Sequence, residues 1–382
     1  MEKPSAEDWM AGVDDDVHVS SLSIPGTHNS GACFRLSAPS VRCQGASIEE
    51  QLAHGVRYLD LRVSKDYMSR GERVDDLIIV HGKLPVRLSG TYKFKSVLED
   101  VHCFLRKHPT ETVLISLKFE NTMLNWNGDS DEFAKVLFQR YIAHSRDRWY
   151  LSDKIPTLKY CRGKAVLLRR FPVLENGVYK RFGIPCTWNS SSPIYNDPHV
   201  CVQDYFEVKT PADLDKKSKL IKSMMAKAQD HHHHRRRQHP PHQPDSIGGS
   251  DSSAAAASSS LFSSSSESSS TLSSSPPCLT SPSCTSSAMV PSGSSSSSAA
   301  KNAKRRKDST ASAEPWAPKL FINFCSGASV FSKQFWPSNV EKMLRKHNLD
   351  KHYGKGCGIV VLDFAERDDW KLVDKLFRVN FT

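Results

Sequence analysis

The sequence predicts an α/β fold, a distorted (β/α)₈ TIM barrel that forms a single domain with a long disordered insert. Eight short apolar runs alternate with loops and helical stretches, which is the pattern of strands joined by helical crossovers. Apolar residues are nearly continuous within each run, as strands covered on both faces require, whereas half-exposed strands alternate. These features favour a barrel, and an open doubly wound sheet is the alternative.

The predicted strands are rich in Val, Ile, Leu and Phe. They lie at 21–26, 58–63, 77–82, 113–119, 165–171, 199–206, 320–326 and 358–364. The predicted helices lie at 47–54, 92–107, 130–145, 211–228, 333–347 and 366–377. A loop too short for a helix joins the second and third strands, so we expect the barrel to be irregular there.

Residues 229–314 interrupt this pattern and divide the barrel into a first part, 1–228, and a last part, 315–382. They contain a His-His-His-His-Arg-Arg-Arg run, Pro-rich polar sequence and long serine tracts. Such a composition buries too little apolar surface to offset chain entropy, which predicts disorder. The insert follows a helix and precedes a strand, so we expect it at the N-terminal face of the barrel, opposite the face that carries barrel active sites.

The insert ends in a basic cluster, Lys304–Lys307. Two roles fit such a cluster, a nuclear import signal and a tether to acidic lipids. A solvated linker without a dedicated role fits the composition equally well. The sequence does not specify a partner for the insert.

The net charge of +11 belongs mostly to the barrel, because the insert holds eight Lys or Arg against six Asp or Glu and the rest of the chain carries +9. This charge favours polyanionic partners: nucleic acid, an anionic membrane or a phosphorylated substrate. A generic basic protein is the alternative. The ten cysteines show no metal-binding spacing and are interpreted as free thiols. We find no apolar leader or transmembrane run, and expect a cytoplasmic protein that reaches membranes only from their surface.

Charged and polar residues end the predicted strands, where a barrel brings its side chains to one mouth. These residues are His28, Asp60, Arg62, His81, Lys118, Arg169, Asp204 and Asp363. Two histidines with carboxylates and fixed cations suit phosphoryl transfer, because one histidine can take a proton, the other can give one, and the cations can neutralise a phosphate. Each residue alone more often caps or pairs, so the prediction rests on their joint occurrence.

Three motifs resemble the X-type catalytic domain of phosphatidylinositol-specific phospholipases C, nearer to the bacterial-type and X-domain-only animal proteins than to the multidomain enzymes. They are Ser23-Ile24-Pro25-Gly26-Thr27-His28, the stretch from Gln51 to Arg62, and Val80-His81-Gly82. Stretches at 114–118, 202–204, 321–324 and 358–364 continue the resemblance. It covers nearly everything except the serine-rich insert.

The resemblance implies cleavage of phosphatidylinositol to diacylglycerol and inositol 1,2-cyclic phosphate. His28 would be the general base, with Asp363 fixing its tautomer, and His81 would be the general acid. Arg62, braced by Asp60, would stabilise the charge that develops on the phosphate.

Lys118, Arg169 and Asp204 match positions that hold inositol hydroxyls in this family. Two positions depart from the family pattern. Asn29 stands where metal-independent members have Asp; it could orient His81 by a hydrogen bond but could not raise that histidine's pKa as a carboxylate would. Phe206 stands where a stacking tyrosine is expected, so it could stack on the sugar without donating a hydrogen bond.

No metal or other cofactor is expected. In calcium-dependent members the positions of Arg62 and Lys118 are acidic, because calcium needs several oxygen ligands, and two cations disfavour that ion. Membrane contact is expected from aromatic residues on the rim, namely Phe331, Phe335, Trp336 and Trp188. Packing of Phe335 and Trp336 beneath the following helix is the alternative.

Three other functions compete with catalysis on phosphatidylinositol. A catalytically weak or inactive inositol-lipid-binding module on the same fold is the first, favoured by Asn29 and Phe206. A nuclear protein associated with nucleic acid is disfavoured by the lack of zinc spacing or a recognition-helix pattern, so no nucleic-acid partner is expected. A glycerophosphodiesterase would need metal-binding carboxylates that the sequence does not offer.

Overall fold

The computed structural model describes residues 4–67, 76–87, 89–120, 130–238, 317–329 and 332–382, and only the backbone of residues 235–238. Its strands are β1 (Ile24–Thr27), β2 (Tyr58–Lys65), β3 (Leu77–His81), β4 (Leu84–Pro85), β5 (Val113–Phe119), β6 (Trp149–Tyr150), β7 (Ala165–Arg170), β8 (Ile184–Pro185), β9 (Tyr195–Asn196), β10 (Val200–Gln203), β11 (Leu320–Phe324) and β12 (Ile359–Leu362). Its α-helices are α1 (Ile48–Ala53), α2 (Phe94–Lys107), α3 (Glu132–Leu137), α4 (Leu158–Cys161), α5 (Pro211–Gln238), α6 (Pro337–Arg345) and α7 (Lys371–Arg378). Shorter 3₁₀ turns lie at Trp9–Gly12, Val19–Ser21, Ala143–Arg148, Lys333–Phe335, Leu349–His352 and Val379–Phe381, and a π turn lies at Phe138–Ile142.

Seven strands form a parallel sheet in the order β7, β5, β2, β1, β12, β11, β10. The first strand pairs with the last, with Ile24 opposite Ile359. An open doubly wound sheet would instead place its last strand at an edge. The predicted barrel is therefore confirmed. Within the described ranges no ladder joins β6 and β9, the two ends of the sheet, so the barrel is distorted.

β3 runs antiparallel and fills the edge of β2 where β1 stops. β1 pairs with the start of β2, with Thr27 opposite Leu59, and β3 pairs with its end, with Ile79 opposite Val63. The C-terminal ends of β1 and β3 therefore approach each other along one edge of β2. The predicted third strand exists, but its antiparallel direction differs from that of the barrel strands.

The helices cover the outside of this sheet. On α2, the residues Phe94, Val97, Val101 and Leu105 recur at helical spacing and are all buried. α1 begins with a capping box in which the Ser47 hydroxyl accepts from the Glu50 amide and the Glu50 carboxylate accepts from the Ser47 amide. Each of the six predicted helices contains an α-helical segment.

Three helices differ most from their predicted boundaries. The helix predicted at 130–145 is α-helical only to Leu137 and continues as π and 3₁₀ turns. The helix predicted at 366–377 begins at Lys371, because residues 368–370 have positive φ angles that an α-helix cannot contain. α5 continues to Gln238 instead of ending at 228.

The floor of the barrel, at its N-terminal face, holds a fully buried ion pair. The Nε of Arg57, the residue that precedes β2, donates to Glu111 Oε2 at 2.8 Å. The other four N–H groups of the guanidinium donate to backbone carbonyls, those of Leu52, Val56, Ala6 and Glu7. We call Arg57 and Glu111 the floor ion pair.

The chain around the insert leaves and returns at the floor. His231 Nε2 of α5 lies 3.1 Å from the carbonyl oxygen of Ala317, just before β11. β11 begins at Leu320, opposite Val200, where β10 begins. Residues 239–316, including Lys304–Lys307, lie outside the described residues, so the disorder of the insert stays a prediction. None of the helices in the described ranges combines the length and the apolar character that crossing a membrane needs.

Candidate active site

His28 follows β1 directly and is held by its backbone. Its amide donates to the Leu362 carbonyl at 2.9 Å, and its own carbonyl accepts from Gln44 Nε2 at 2.8 Å. Gln44 Nε2 also donates to the Leu362 carbonyl, so it links the end of β1 to the end of β12. The backbone of His28 is therefore fixed before its side chain makes any contact.

The contacts of the His28 ring determine its tautomer. Nδ1 lies 2.8 Å from Asp363 Oδ1, and because an ionised carboxylate only accepts, Nδ1 carries the proton. On the other side, Asn29 Nδ2 lies 2.9 Å and Arg62 Nη2 lies 3.2 Å from Nε2. Since both groups are donors, Nε2 is unprotonated and can take a proton.

Asn29 contacts His28 rather than His81. Its backbone is left-handed, with φ 42°, a conformation that asparagine tolerates better than most residues. Its amide N–H donates to Asp60 Oδ2 at 3.2 Å. The expectation that Asn29 orients His81 is corrected, because the turn directs its side chain at the neighbouring imidazole.

His81 ends β3 and is oriented by a backbone carbonyl. Its Nδ1 donates to Val41 O at 2.7 Å, and its ring lies 6.1 Å from the His28 ring, centroid to centroid. Burial and then the positive charge of Arg62 lower the pKa of His81 to about 3. Without a bound anion His81 is neutral at pH 7, and a phosphate beside it would raise its proton affinity.

Arg62 and Asp60 lie two residues apart on the inner face of β2, and a third residue joins them. Arg170 Nη1 donates to Asp60 Oδ1 at 2.7 Å, while Arg62 Nη2 lies 3.6 Å from Asp60 Oδ2. Burial would raise the pKa of Asp60, but Arg62 and Arg170 outweigh it and lower that pKa to about 2. Asp60 is therefore ionised and braces both arginines.

Arg170 occupies the place predicted for Arg169. The guanidinium of Arg169 points to the other face of β7, where it donates to the carbonyls of Phe171 and Lys180. Successive strand residues face opposite sides, so a one-residue error reverses the face. The prediction for Arg169 is therefore corrected to Arg170. The register with β5 was the missed signal, because Arg170 lies opposite Lys118 and the two side chains share a face of the sheet.

Lys118 reaches the site with a carboxylate that the sequence analysis did not consider. Its Nζ donates to Glu120 Oε1 at 2.7 Å, and Glu120 Oε1 also lies 3.7 Å from Arg62 Nη1. Glu120 follows β5 on the same side as Lys118. The period-2 pattern extended by one step would have found it.

Asp204 follows β10 and accepts a hydrogen bond from Trp188. Trp188 Nε1 lies 2.9 Å from Asp204 Oδ2, and the Arg170 guanidinium stacks 3.6 Å from the centroid of the Trp188 ring. Trp188 therefore lines the site and is not a free rim residue, which corrects its assignment to the membrane interface. Phe206, two residues past Asp204, is exposed at the mouth.

Of the other predicted rim residues, Phe335 is contradicted, whereas Trp336 and Phe331 stay predictions. Phe335 is 4% exposed and packs in the core, so its assignment to the membrane interface is wrong. Trp336 is half-buried at the start of α6, near Lys333. Phe331 lies outside the described residues.

Exposed apolar side chains do surround the mouth, on loops that follow the C-terminal ends of strands. They are Leu36, Leu174, Val178, Ile194 and Phe206, and we call them the apolar rim. Val178 is the most exposed of them, at 90%. Basic residues flank two of these positions: Arg35 lies beside Leu36, and Lys180 lies near Val178.

Cys43 lies between the two histidines. Its Sγ is 3.7 Å from Asn29 Nδ2 and 3.9 Å from His81 Nδ1. Burial, and then the charge of Asp363, raises the pKa of its thiol. Cys43 belongs to an irregular loop, so no strand period pointed to it.

The comparison with known families bears on this part of the chain. Residues 23–171 match the family model described as phosphatidylinositol-specific phospholipase C, X domain. This segment contains β1 to β7 with His28, Arg62 and His81. This segment is therefore similar to a PI-PLC X domain.

Curated proteins that resemble the chain include bacterial and animal proteins. The chain is 34% identical over 171 residues to the 1-phosphatidylinositol phosphodiesterase of Listeria monocytogenes, across 43% of this chain and 49% of the relative. It is 28% identical over 249 residues to the enzyme of the same name from Staphylococcus aureus strain Newman, across 59% of this chain and 71% of the relative. Human PI-PLC X domain-containing protein 1 is 26% identical over 194 residues, across 42% of this chain and 56% of the relative. The chain thus matches about half the length of the Listeria relative.

Solved structures share the fold of the chain. The phosphatidylinositol-specific phospholipase C from Listeria monocytogenes aligns with a TM-score of 0.58 and 22% identity, over 97% of this chain and 98% of that one. A structure of the Staphylococcus aureus enzyme aligns with a TM-score of 0.61 and 17% identity, over 98% and 97%. Both alignments support the barrel architecture. At 22% and 17% identity they are evidence for the fold alone.

Proposed function

We propose that the chain is a phosphodiesterase that cleaves phosphatidylinositol to diacylglycerol and inositol 1,2-cyclic phosphate. One observation carries the proposal. The unprotonated Nε2 of His28 faces Arg62 Nη2 at 3.2 Å, and a second histidine, His81, stands 6.1 Å away between ring centroids. A phosphodiester bound between the two histidines could lose a proton to His28, gain one from His81 and have its charge neutralised by Arg62.

In the proposed reaction His28 Nε2 takes the proton of the inositol 2-hydroxyl. The freed oxygen attacks phosphorus as the bond to the glycerol oxygen breaks, and His81 gives that oxygen a proton. Asp363 holds Nδ1–H of His28 and stabilises the imidazolium that forms. The charge of the bound phosphate supplies the proton affinity that His81 lacks in the free protein. The same pair with exchanged roles can open the cyclic phosphate with water.

We propose that this reaction needs no metal. Two carboxylates at the mouth are engaged by cations: Asp60 by Arg170 and Arg62, and Glu120 by Lys118. Calcium would need several free oxygen ligands in their place. Arg62 is the group that we assign to the charge of the phosphate in the transition state.

Lys118, Arg170 and Asp204 are proposed to hold inositol hydroxyls, with Trp188 keeping Arg170 and Asp204 in place. Phe206 stays the candidate for stacking on the sugar ring. The substrate itself lies in a bilayer, so the mouth must reach the lipid surface. We propose that the apolar rim inserts shallowly while Arg35 and Lys180 contact anionic headgroups. Peripheral membrane contact follows from this proposal, and a cytoplasmic location stays a separate expectation.

Phosphorus NMR of phosphatidylinositol vesicles in EGTA tests the chemistry. We expect the cyclic phosphate to appear with the parent chain, and its rate of formation to fall roughly 10²- to 10⁴-fold in His28→Ala and in His81→Ala, the range that general acid–base groups contribute. Absence of product from the parent chain, with or without calcium, would contradict catalysis.

A binding module is the second candidate, because His81 is oriented by the Val41 carbonyl and not by a carboxylate. If phosphatidylinositol vesicles bind the parent chain but stay uncleaved under these conditions, this candidate replaces the first.

Val178→Asp tests the membrane surface. Because burial of one large aliphatic side chain is worth about 1.5–3 kcal/mol, we expect vesicle affinity to fall roughly 10- to 100-fold. Cleavage of a soluble inositol phosphodiester should be unchanged. Tyr160→Asp is the matched control, since Tyr160 is also exposed but lies on α4, ahead of β7 and away from the mouth. An equal loss in both variants would contradict the assignment of the apolar rim.

A further inference from the structure

The group formed by His28, Cys43 and Asp363 has the composition of a transition-metal site. We propose that these three side chains bind Zn²⁺ and that zinc bound there blocks the chemistry of His28. Binding does not depend on the proposed function; inhibition rests on it.

The geometry supports three ligands. One nitrogen of His28, the sulfur of Cys43 and one oxygen of Asp363 all lie within 4.8 Å of one another. Zinc–ligand bonds of about 2.0–2.3 Å set tetrahedral ligands roughly 3.3–3.8 Å apart, so a contraction of at most about 1.5 Å from the 4.8 Å limit brings these three atoms to ligand spacing, with water as the fourth ligand. Imidazole, thiolate and carboxylate are ligands that zinc accepts.

A second observation points to the same place. Asp363 is 2% exposed, and its Oδ2 has no hydrogen-bond partner in the part of the chain that the structure describes, while Oδ1 is used by His28. A buried carboxylate oxygen without a partner is costly, and a metal ion would satisfy it. His81 is not one of the three side chains whose ligand atoms lie this close together.

The charges select the metal. Arg62 Nη2 lies 3.2 Å from His28 Nε2 and opposes any cation. Zinc offsets this repulsion by forming a bond to sulfur: the S–H bond of Cys43 breaks, the proton goes to solvent, and the thiolate and the Asp363 carboxylate together match the two charges of the ion. Calcium gains nothing from sulfur, so it should not bind here.

Zinc bound through His28 removes the proton acceptor of the proposed reaction. Either the ion binds Nε2 itself, or it binds Nδ1, whose proton then moves to Nε2. In both cases the base described above is no longer available.

Cobalt absorption is the test of the sulfur ligand, because a thiolate gives Co²⁺ a charge-transfer band that histidines do not. The full chain is used in a His233→Gln/His234→Gln background, since these exposed histidines could bind metal by themselves. We expect the band in this parent and in Cys33→Ser, its matched control, and no band in Cys43→Ser. Zinc titration by calorimetry should show a loss of affinity in Cys43→Ser at least as large as the roughly 10- to 100-fold typical of second-shell changes.

X-ray absorption of the zinc-loaded parent identifies the ligand atoms directly, so the sulfur ligand can be tested even if Cys43→Ser fails to fold. One sulfur at about 2.3 Å with nitrogen or oxygen ligands is expected. No saturable binding, a site without sulfur, or a cobalt band that persists in folded Cys43→Ser would overturn the zinc site.

Phosphatidylinositol cleavage is then measured against zinc occupancy. We expect the rate of cleavage to fall as zinc fills the site formed by His28, Cys43 and Asp363. Calcium should not lower this rate. Occupancy without loss of cleavage would overturn the inhibition alone. A parent chain inactive without any metal would sink the proposed function and leave the zinc site standing.

Discussion

Each end of the barrel places an arginine beside a carboxylate, but the two ends use the pair differently. At the floor, every N–H of Arg57 has an acceptor and Glu111 lies 2.8 Å away. At the mouth, Arg62 stands 3.6 Å from Asp60 and 3.7 Å from Glu120, and its Nε has no hydrogen-bond partner within the described ranges. The floor pair is complete within the protein, whereas the mouth keeps donor capacity for a ligand.

The pKa shifts of the two arginines follow the same division. Burial lowers the pKa of Arg57 even though Glu111 opposes it. Burial also acts on Arg62, but Asp60 and Glu120 outweigh it and raise its pKa. Arg57, whose N–H groups are mostly bound by backbone carbonyls, has the features of a structural residue. Arg62, whose carboxylate partners lie more than 3.5 Å away, has the features of an anion-binding residue.

Arg57→Met tests the floor and should have the largest effect. Removing one partner leaves Glu111 as a buried unpaired charge, so we expect the free energy of unfolding to fall by about 3–5 kcal/mol, measured by denaturant titration. Replacing both partners, in Arg57→Met/Glu111→Leu, should cost less than the single change. A loss below about 1 kcal/mol in the single variant would show that the floor ion pair is not structural.

Arg62→Gln tests the mouth. Loss of the cation should lower kcat for phosphatidylinositol roughly 10²- to 10³-fold, as loss of one transition-state donor does. The free energy of unfolding should change by less than about 1 kcal/mol, because the ion pairs of Arg62 are longer than 3.5 Å and Asp60 keeps Arg170 as its partner. If Arg62→Gln is destabilised but has a normal kcat, Arg62 has a structural role like that of Arg57.

Arg170→Gln and Arg169→Gln compare neighbours on opposite faces of β7. A hydrogen bond to a charged group is worth about 1.5–3 kcal/mol, so Arg170→Gln should lower kcat/KM roughly 10- to 100-fold. Arg169→Gln should leave kcat/KM nearly unchanged and act on stability alone. Equal kinetic losses would mean that β7 presents the other face to the site.

His81→Gln should show a smaller, pH-dependent effect on stability. The pKa of His81 is lowered from its ordinary value of 6.5 to about 3, so between these pH values the unfolded chain binds a proton that the folded chain does not. The stability of the parent relative to the variant should therefore rise as the pH increases through this window and be constant above it. Thermal unfolding of both proteins across the window measures the difference, and a flat difference would contradict the lowered pKa.

The strands and the ends of β1, β2 and β12 could be predicted from the sequence because burial on both faces leaves a continuous apolar run. That pattern placed His28, Arg62 and Asp363 at one mouth. The prediction was wrong by one residue on β7. Arg169 and Arg170 are adjacent arginines, so residue type alone does not show which of them faces the site. Parity with Lys118 on the paired strand would have chosen Arg170.

The rest depended on tertiary contacts that no local pattern encodes. The position of β3 follows from the free edge that the short β1 leaves on β2. The partner of Asn29 follows from a left-handed turn, and the roles of Trp188 and Phe335 follow from packing in loops without periodicity. Aromatic character alone therefore did not separate site, core and rim.

The antiparallel strand that carries His81 has a second consequence for the molecule. Where β1 ends, β2 would otherwise present a row of unpaired backbone groups, and such an edge is a template for pairing with another chain. β3 covers it from Val63 to Lys65. The strand that brings the second histidine to the mouth thus also pairs an otherwise open edge, and shortening it would expose that edge to pairing with another chain.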